Sequence, residues 1–397
     1  MRLLFVADGR SPITRSWLRH WTENGHETHL ISTFPCLPPP GLTSFHELPV
    51  AFNRMAGAQA TNTTEVPTRG GLVGRFRAVL RPLRYVLGPF TLLCYQNPFR
   101  QLVENIKPDL VHALRIPFEG MLASATPRRI PLIISIWGND ITLHARSFFL
   151  MAWLTRMTLR RADGLVADAT RDIRLGQEWG FRGPTLTVPG SGGIRYDEIF
   201  AANRESALFP EELPDAPIVV NPRGHRPGSL RQDVFFQSIP IVLEKFPKTV
   251  FVCPPLAGDA QARGWVSALG ITANVHLWPL LSQRQLWALY KKAQVYVSPS
   301  VHDGTPNSLL EAMACGCFPV TGDVESLREW IAPNINGILV DATNPRRMAD
   351  AVIAALENED LRRKAAGQNA ELIAARADYA RCMQKVEQFY REIKPGA

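Results

Sequence analysis

The stretch SPSVHDGTPNSLLEAMACGCFPVT, residues 298–321, decides how the rest of the chain is read. Just upstream, QVYVSPS has the apolar, β-branched run of a buried strand, and CFPVT reads as another. Between them TPNSLLEAMAC predicts a short helix, with Thr305 as its cap, Pro306 in its first position and Gly316 beyond its end. A strand, loop, helix and strand in this order make one unit of a parallel α/β sheet, in which ligands lie at the carboxyl ends of strands. The free N–H groups near residues 305–308 and the helix dipole favour a phosphate. Two acids flank that position, Asp303 on the loop and Glu311 within the helix. Glu311 lies about 9 Å further along the axis, at about 1.5 Å per residue, which is the reach from a diphosphate to a ribose. A carboxylate there accepts hydrogen bonds from two vicinal ribose hydroxyls, while Asp303 reaches a sugar at the other end. Taken singly, Asp303 fits an Asp-Gly turn and Glu311 a solvated helix face. Taken together with Gly304, Thr305, Pro306, Asn307 and Ser308, they favour a site for a phosphorylated ligand.

Outward from this stretch the chain repeats one rhythm. Residues 3–7, ETHLIS, DLVHAL, PLIISIW, GLVADA and TLTVP read as strands of a first series, with SPITRSWLRHWTEN as its first helix. A second series runs IVVNP, TVFVCP, NVHLW, QVYVSPS, CFPVT and GILV, with helical segments over Val234 to Lys245 and Gln283 to Lys292. Between the series, ALFPEELPDAP holds three prolines among acids and reads as a linker, residues 207–217. Two doubly wound parallel sheets follow from this alternation. Gly9 ends the first strand, where the lack of a side chain would admit phosphates or a sugar; a simple turn is the alternative. ADGRSP lacks G-x-G-x-x-G, which argues against a nicotinamide dehydrogenase.

Composition sets the outer limits. The 397 residues allow two or three domains, and 46% hydrophobic with 20% charged residues reads as a globular protein. Net charge is +8, which suits phosphorylated ligands, polyanions or anionic membrane. Of the cysteines only Cys315 and Cys317 are close, and C-x-C without a second pair or a nearby His is a poor zinc site, so free thiols and a reducing compartment are expected. The N-terminal apolar run, residues 3–7, is too short for a signal peptide, and no run of apolar residues is long enough to span a membrane. Residues 66–103 stand out: six arginines lie among Leu, Val, Phe and Tyr, with no Asp, Glu or Lys. This stretch is either a contact for an anionic membrane or an ordinary solvated helix face. No nucleic-acid reader motif accompanies it.

DGTPNSLLEAMACG resembles the Glu-x7-Glu motif of the retaining, nucleotide-sugar-dependent glycosyltransferases of family 4, with Asp303 in place of the first Glu and Glu311 as the second. SLREWIAPNINGILVDATNPRRMADAV, SPITRSWLRHWTENGHETHLIS, WGNDI and RADGLVADA extend the likeness over nearly the whole chain. The resemblance implies the α/β fold called GT-B: two Rossmann-like doubly wound parallel-sheet domains facing a cleft. Residues 1–206 would bind acceptor, 218–375 the nucleotide sugar, and a helix in 376–397 would cross back to the first domain. It implies a sugar moved from a nucleoside diphosphate to a glycan, lipid-linked or small-molecule acceptor. Configuration would be retained, with no protein nucleophile, no metal and no other cofactor. Closure of the domains would exclude water. The free thiols and the basic stretch 66–103 lead to the expectation of a cytoplasmic place, peripheral on the membrane.

Site residues carry over one by one. In NPRGHRPGSLRQD, Arg223 matches the family's diphosphate-binding Arg, and Arg231, ahead of Arg226, is the nearest candidate for a second cation usually supplied by Lys. Fixed guanidinium groups there stabilise charge on the leaving nucleotide. His112 matches the first His of an H-x-H pattern, with Leu114 at the second; it would touch the sugar or serve structure. Asp140 would orient the acceptor hydroxyl. Three departures stand out: Trp137 where many relatives have His, Ile13 where His is frequent, and Asp303, one methylene short. Two alternatives remain: a sugar-nucleotide-binding scaffold at a membrane without turnover, and an epimerase of the same fold. A phosphorylase would need a cofactor-bearing lysine context that the chain lacks.

Overall fold

A computed structural model of the chain describes residues 1–56, 77–201 and 209–393. It divides into two compact units, Met1–Gly193 with Arg381–Ala397, and Ile194–Ala380.

In the first unit seven parallel strands lie in the order β3-β2-β1-β4-β5-β6-β7. They are β1 (Arg2–Ala7), β2 (Glu27–Ser32), β3 (Ser44–Glu47), β4 (Leu110–Ala113), β5 (Leu132–Ile136), β6 (Gly164–Ala167) and β7 (Thr185–Thr187). The central strands are apolar without interruption because both faces are covered: Leu4 and Val6 enter one core cluster, while Phe5 packs on the other side beside His112. Helix α1 (Pro12–Glu23) follows β1 and buries Trp17, Leu18 and Trp21 on one face. The order from β3 to β7 is that of a doubly wound sheet, reversing direction between β1 and β4. The edge strand β3 escapes the sequence reading, since SFHE is short and only half-buried and carries no apolar run. Of the acid-free stretch 66–103, residues 66–76 lie outside the described residues; the remainder forms most of helix α2 (Arg77–Ile106). Helix α3 (Phe149–Arg161) packs beside it. No described helix is long and apolar enough to cross a membrane.

The second unit holds six parallel strands in the order β10-β9-β8-β11-β12-β13. These are β8 (Ile218–Val220), β9 (Val250–Val252), β10 (Val275–His276), β11 (Val295–Ser298), β12 (Phe318–Gly322) and β13 (Ile338–Val340). Alternate residues feed two cores: Val219 faces one, Ile218 and Val220 the other. Each fully buried valine of this kind contributes on the order of 1.5–3 kcal/mol through burial alone. Helix α4 (Gln232–Lys245) follows β8, and helix α5 (Asn307–Ala314) follows β11. Gly316 sits just past α5 with φ +90°, the left-handed ending that glycine permits.

Gly322 closes β12 where the loop after β11 passes nearest. A Cβ there would lie 1.8 Å from the Ser300 carbonyl oxygen. Backbone cannot yield that far without displacing the loop that carries Asp303. Gly322→Ala is therefore expected to destabilise the second unit by about 3 kcal/mol or more. A urea titration read by tryptophan fluorescence checks this; an unchanged midpoint would contradict the close approach.

The boundary does not fall in the proline-rich stretch. Ile194 makes an isolated parallel bridge with Asp378, its N–H donating to the Ala377 carbonyl and its own carbonyl accepting from Tyr379. This pairing ties residues from 194 onward to the second unit. The described part of the expected linker 207–217 is held there too: Phe209 stacks on Trp278, and Glu211 accepts hydrogen bonds from His276 and Trp278. The chain returns to the first unit at Arg381, within helix α6 (Tyr379–Ile393). That helix buries Cys382, Met383, Val386, Phe389, Tyr390 and Ile393.

Candidate functional site

The chemistry of the second unit gathers where β8 and β11 end. Helix α5 begins at Asn307, one residue later than expected, with Pro306 rather than Thr305 in the capping position and no side-chain cap. Proline's fixed φ suits that entry, and its carbonyl accepts from Leu309 and Leu310. The Thr305 hydroxyl turns away and accepts from Trp330 Nε1 at 3.0 Å.

Asp303 is held from every side. Its Oδ2 accepts from Arg223 Nη2 at 2.7 Å and from the Ser300 hydroxyl at 3.0 Å, while Oδ1 accepts from the Gly304 N–H at 3.2 Å. Arg223 is buried and also reaches the Ser308 hydroxyl, at 3.4 Å, which in turn lies 3.0 Å from the Tyr296 hydroxyl. Burial pulls the Arg223 guanidinium down, but Asp303 and the nearby tyrosines outweigh it, so its pKa is raised and the cation is secured. Its Nε–H is buried without a partner. The Arg223 loop is itself braced. Asn221 Oδ1 accepts from the Arg223 N–H, Asn221 donates to Gln232 at 2.7 Å, and Gln232 Nε2 donates back to the Arg223 carbonyl. Asn221, Gln232, Tyr296 and Ser300 were not legible as site residues, since each bonds to a partner brought near only by the fold. Buried polar residues beside NPR and SPS were the sole hint.

The second cation differs from the expectation. Arg231 lies at the start of α4 with its guanidinium forked onto Asp233, Nε to Oδ1 at 2.9 Å and Nη2 to Oδ2 at 2.7 Å. Neighbouring Asp233 thus takes the charge Arg231 was expected to give a phosphate. Arg226 is the cation beside the site: repulsion from Arg223, and then desolvation, lower its pKa. Two guanidinium groups forced together against one carboxylate make a local positive field suited to an anion with more than one charge.

Glu311, further along α5, accepts from Gln283 Nε2 at 2.8 Å. Burial pushes its carboxyl up to about 7, against the effect of that hydrogen bond. Asp303 and Glu311 therefore have separate partners: Asp303 is neutralised by Arg223, and Glu311 has no cation among its causes of shift. Among the described residues, no three His, Cys, Asp or Glu side chains are grouped to hold a metal ion.

Gly9, His112 and Asp140 belong to the first unit. A Cβ on Gly9 would meet Cys36 Sγ at 2.6 Å and Ser32 Oγ at 3.1 Å, so packing within the unit already explains the glycine. His112 takes the structural one of the two roles open to it in the sequence. It is fully buried, one ring nitrogen bonded to the Tyr390 hydroxyl and the other to Ser135 Oγ at 2.8 Å, with Trp17 against its ring. Burial lowers its pKa to about 3, leaving a neutral ring with no nitrogen free for a ligand. It serves to dock α6. Tyr390→Phe orphans that nitrogen and is expected to cost about 1–3 kcal/mol of first-unit stability while leaving nucleotide affinity unchanged. Paired melting and nucleotide titrations check it; lost nucleotide affinity with an unchanged melt would return His112 to the site. Asp140 is also fully buried. It accepts from Arg115 Nη2 at 2.7 Å, the Ile116 N–H at 3.0 Å and the Trp137 N–H at 3.3 Å. Its carboxylate organises the turn after β5.

Two parallel-sheet, Rossmann-like units of seven and six strands are the architecture of the GT-B class. Two family models match along the chain: "Glycosyl transferase 4-like domain" over residues 8–190 and "Glycosyl transferases group 1" over residues 230–372. The chain belongs to this glycosyltransferase family. It is 26% identical over 168 residues to a D-inositol 3-phosphate glycosyltransferase of Corynebacterium urealyticum, covering 40% of this chain and 39% of that protein. The chain thus spans about two fifths of the first curated relatives it matches. Among solved structures, a sucrose-phosphate synthase from Thermosynechococcus elongatus superposes with a TM-score of 0.71 at 16% identity, covering 99% of each chain. Anabaena HepE in complex with UDP and glucose gives 0.67 at 13% identity, covering 99% of this chain and 100% of that one. At such identities the likeness concerns the fold.

Proposed function

We propose that the protein is a retaining glycosyltransferase that takes a nucleoside-diphosphate sugar as donor and a glycan, lipid-linked glycan or small hydroxyl compound as acceptor. The observation that carries this reading is the secured Arg223 at the head of α5, with Arg226 beside it and Glu311 further along the same helix. The diphosphate lies on the helix N-terminus and the two guanidinium groups, and the ribose hydroxyls donate to Glu311. Cleavage of the sugar–phosphate bond builds negative charge on the diphosphate, and cations already fixed in place stabilise it without reorganising. Asp303 holds Arg223 and offers its carboxylate to the sugar hydroxyls. The leaving phosphate takes the proton of the acceptor hydroxyl on the face where the new bond forms, so configuration is kept and no protein nucleophile takes part. No metal or other cofactor is required by this scheme.

A lipid-linked acceptor would agree with membrane contact through residues 66–103 and a peripheral, cytoplasmic place of action. A panel of UDP-, GDP-, ADP- and TDP-sugars without acceptor tests the reading by thermal shift and slow release of nucleoside diphosphate. One donor that stabilises the protein and is hydrolysed, with both effects lost in Asp303→Ala and Glu311→Ala, is the expected result. Silence toward every donor would overturn it. An epimerase would instead change the donor sugar without releasing nucleotide, and a scaffold would bind without either.

A further inference from the structure

Helices α2 and α3 of the first unit present the wrong face to water. On α2, Leu87, Phe90 and Leu93 recur at helical spacing and are 40%, 55% and 67% exposed. On α3, Phe149, Trp153 and Met157 do the same at 75%, 55% and 44%. The inward side of α3 is already filled by Met151, Thr155, Thr158 and Leu159, so these large side chains are not displaced core residues. A surface helix ordinarily turns charged residues outward. Single exposed apolar residues are common, but six on two packed helices are not.

The two rows are neighbours. The Tyr85 hydroxyl bonds to His144 Nδ1 at 2.6 Å, tying the start of the described face of α2 to the segment that leads into α3 at Phe149. Charge sorts with them. Residues 141–162 contain no Asp or Glu, as 66–103 contain none, and Arg146, Arg156 and Arg160 lie exposed among the apolar groups of the α3 segment. The described part of the first acid-free stretch, within α2, is thus brought beside the second, although the two lie far apart in the chain.

We propose that this two-helix face seats the first unit on an anionic lipid surface, with the six apolar side chains entering the interface and the arginines meeting lipid phosphates. Exposed Trp and Phe prefer the headgroup boundary, and arginines around them gain from the negative surface potential. The charge pattern disfavours a second copy of the chain as occupant. A twofold contact through this face would oppose arginine to arginine with no carboxylate from either segment to relieve them.

Flotation of the full chain with phosphatidylcholine vesicles, with and without roughly a third phosphatidylglycerol, tests the assignment. The vesicles carry no glycan, donor or acceptor, so the outcome is independent of the transferase reading. Wild type is expected to bind anionic vesicles at least about tenfold better than neutral ones, less so at high salt. Phe149→Ser with Trp153→Ser should lower that binding about tenfold or more. Arg146→Glu with Arg160→Glu should abolish the preference for anionic lipid. All four side chains are exposed, so unchanged melting of the variants is expected and is measured alongside. Equal binding to both vesicle types, or variants that bind as wild type does, would overturn the proposal. So would a wild-type dimer that ignores vesicles and becomes monomeric in the Phe149→Ser, Trp153→Ser variant, which would identify a second copy instead.

Discussion

Arg223→Ala is expected to lower turnover, read as nucleoside diphosphate release, by about 10²- to 10³-fold, with a much smaller loss of donor affinity. Arg223 is the buried cation nearest the site where charge would develop, and its position is set by Asp303, Ser308, Asn221 and Gln232. A ligand phosphate already carries charge before the bond breaks, so part of the interaction is present in the ground state. The larger part grows with the leaving charge and is therefore read in kcat. The alanine variant also leaves the half-buried Asp303 carboxylate without its guanidinium, which lowers stability by itself. Arg223→Lys separates the two effects. It keeps a charge near Asp303 but loses the forked geometry that meets Asp303 and Ser308 together, so the fold is retained and turnover still falls about tenfold or more. Equal losses in kcat and donor affinity would make Arg223 a plain anchor. A lysine variant with full turnover would remove it from the chemistry.

The second large effect concerns Glu311. Glu311→Ala should weaken nucleoside diphosphate binding by about 10²-fold, since two hydrogen bonds to a charged acceptor are lost, and Glu311→Gln by about tenfold. Burial pushes the carboxyl up to about 7, and on the proposed ribose contact only the ionised form would accept from both hydroxyls. Wild-type affinity should therefore rise about tenfold between pH 6 and pH 8. The terminal phosphate of the nucleotide titrates near pH 6 itself, roughly, so the diagnostic quantity is the part of the rise that disappears in Glu311→Gln. Stability should move the other way. Burial raises the folded value above the ordinary one, so the contribution of this group is full below the unfolded value and is lost as pH rises through about 7. The unliganded Gln variant should accordingly melt above wild type at pH 8 and level with it at pH 5. Nucleotide affinity unchanged in Glu311→Ala would refute the ribose contact, and identical melting at both pH values would refute the raised carboxyl.

Glu311 belongs to the stretch that was readable first, and the reason is local. DGTPNSLLEAMACG sets its own turn and helix, and the strands around it are continuous apolar runs whose period and length announce a buried parallel sheet. Every strand expected from such a run is present, and the one missed, β3, is a half-buried edge with no such run. The sequence by itself also determined that Arg223, Asp303 and Ser308 fall on loops and helix starts that follow strands, while the pairing of β8 with β11 that brings them together came from the fold.

What the tertiary structure alone decided is which polar groups are spent on the protein itself. His112 was open between a sugar contact and a structural role until Tyr390, 278 residues away, took one of its nitrogens. Asp140 was expected to orient an acceptor hydroxyl, and the fold gives it Arg115 and two backbone N–H groups as partners. Arg231 and Arg226 are alike in the sequence, yet Asp233 quenches the first while Arg223 presses on the second. The division at Gly193 follows from a pairing of Ile194 with Asp378, not from the prolines. Periodicity and turn chemistry act over a few residues and are written in order along the chain. The partner of a buried charge or ring is chosen by packing across the sheet, and no local pattern records it.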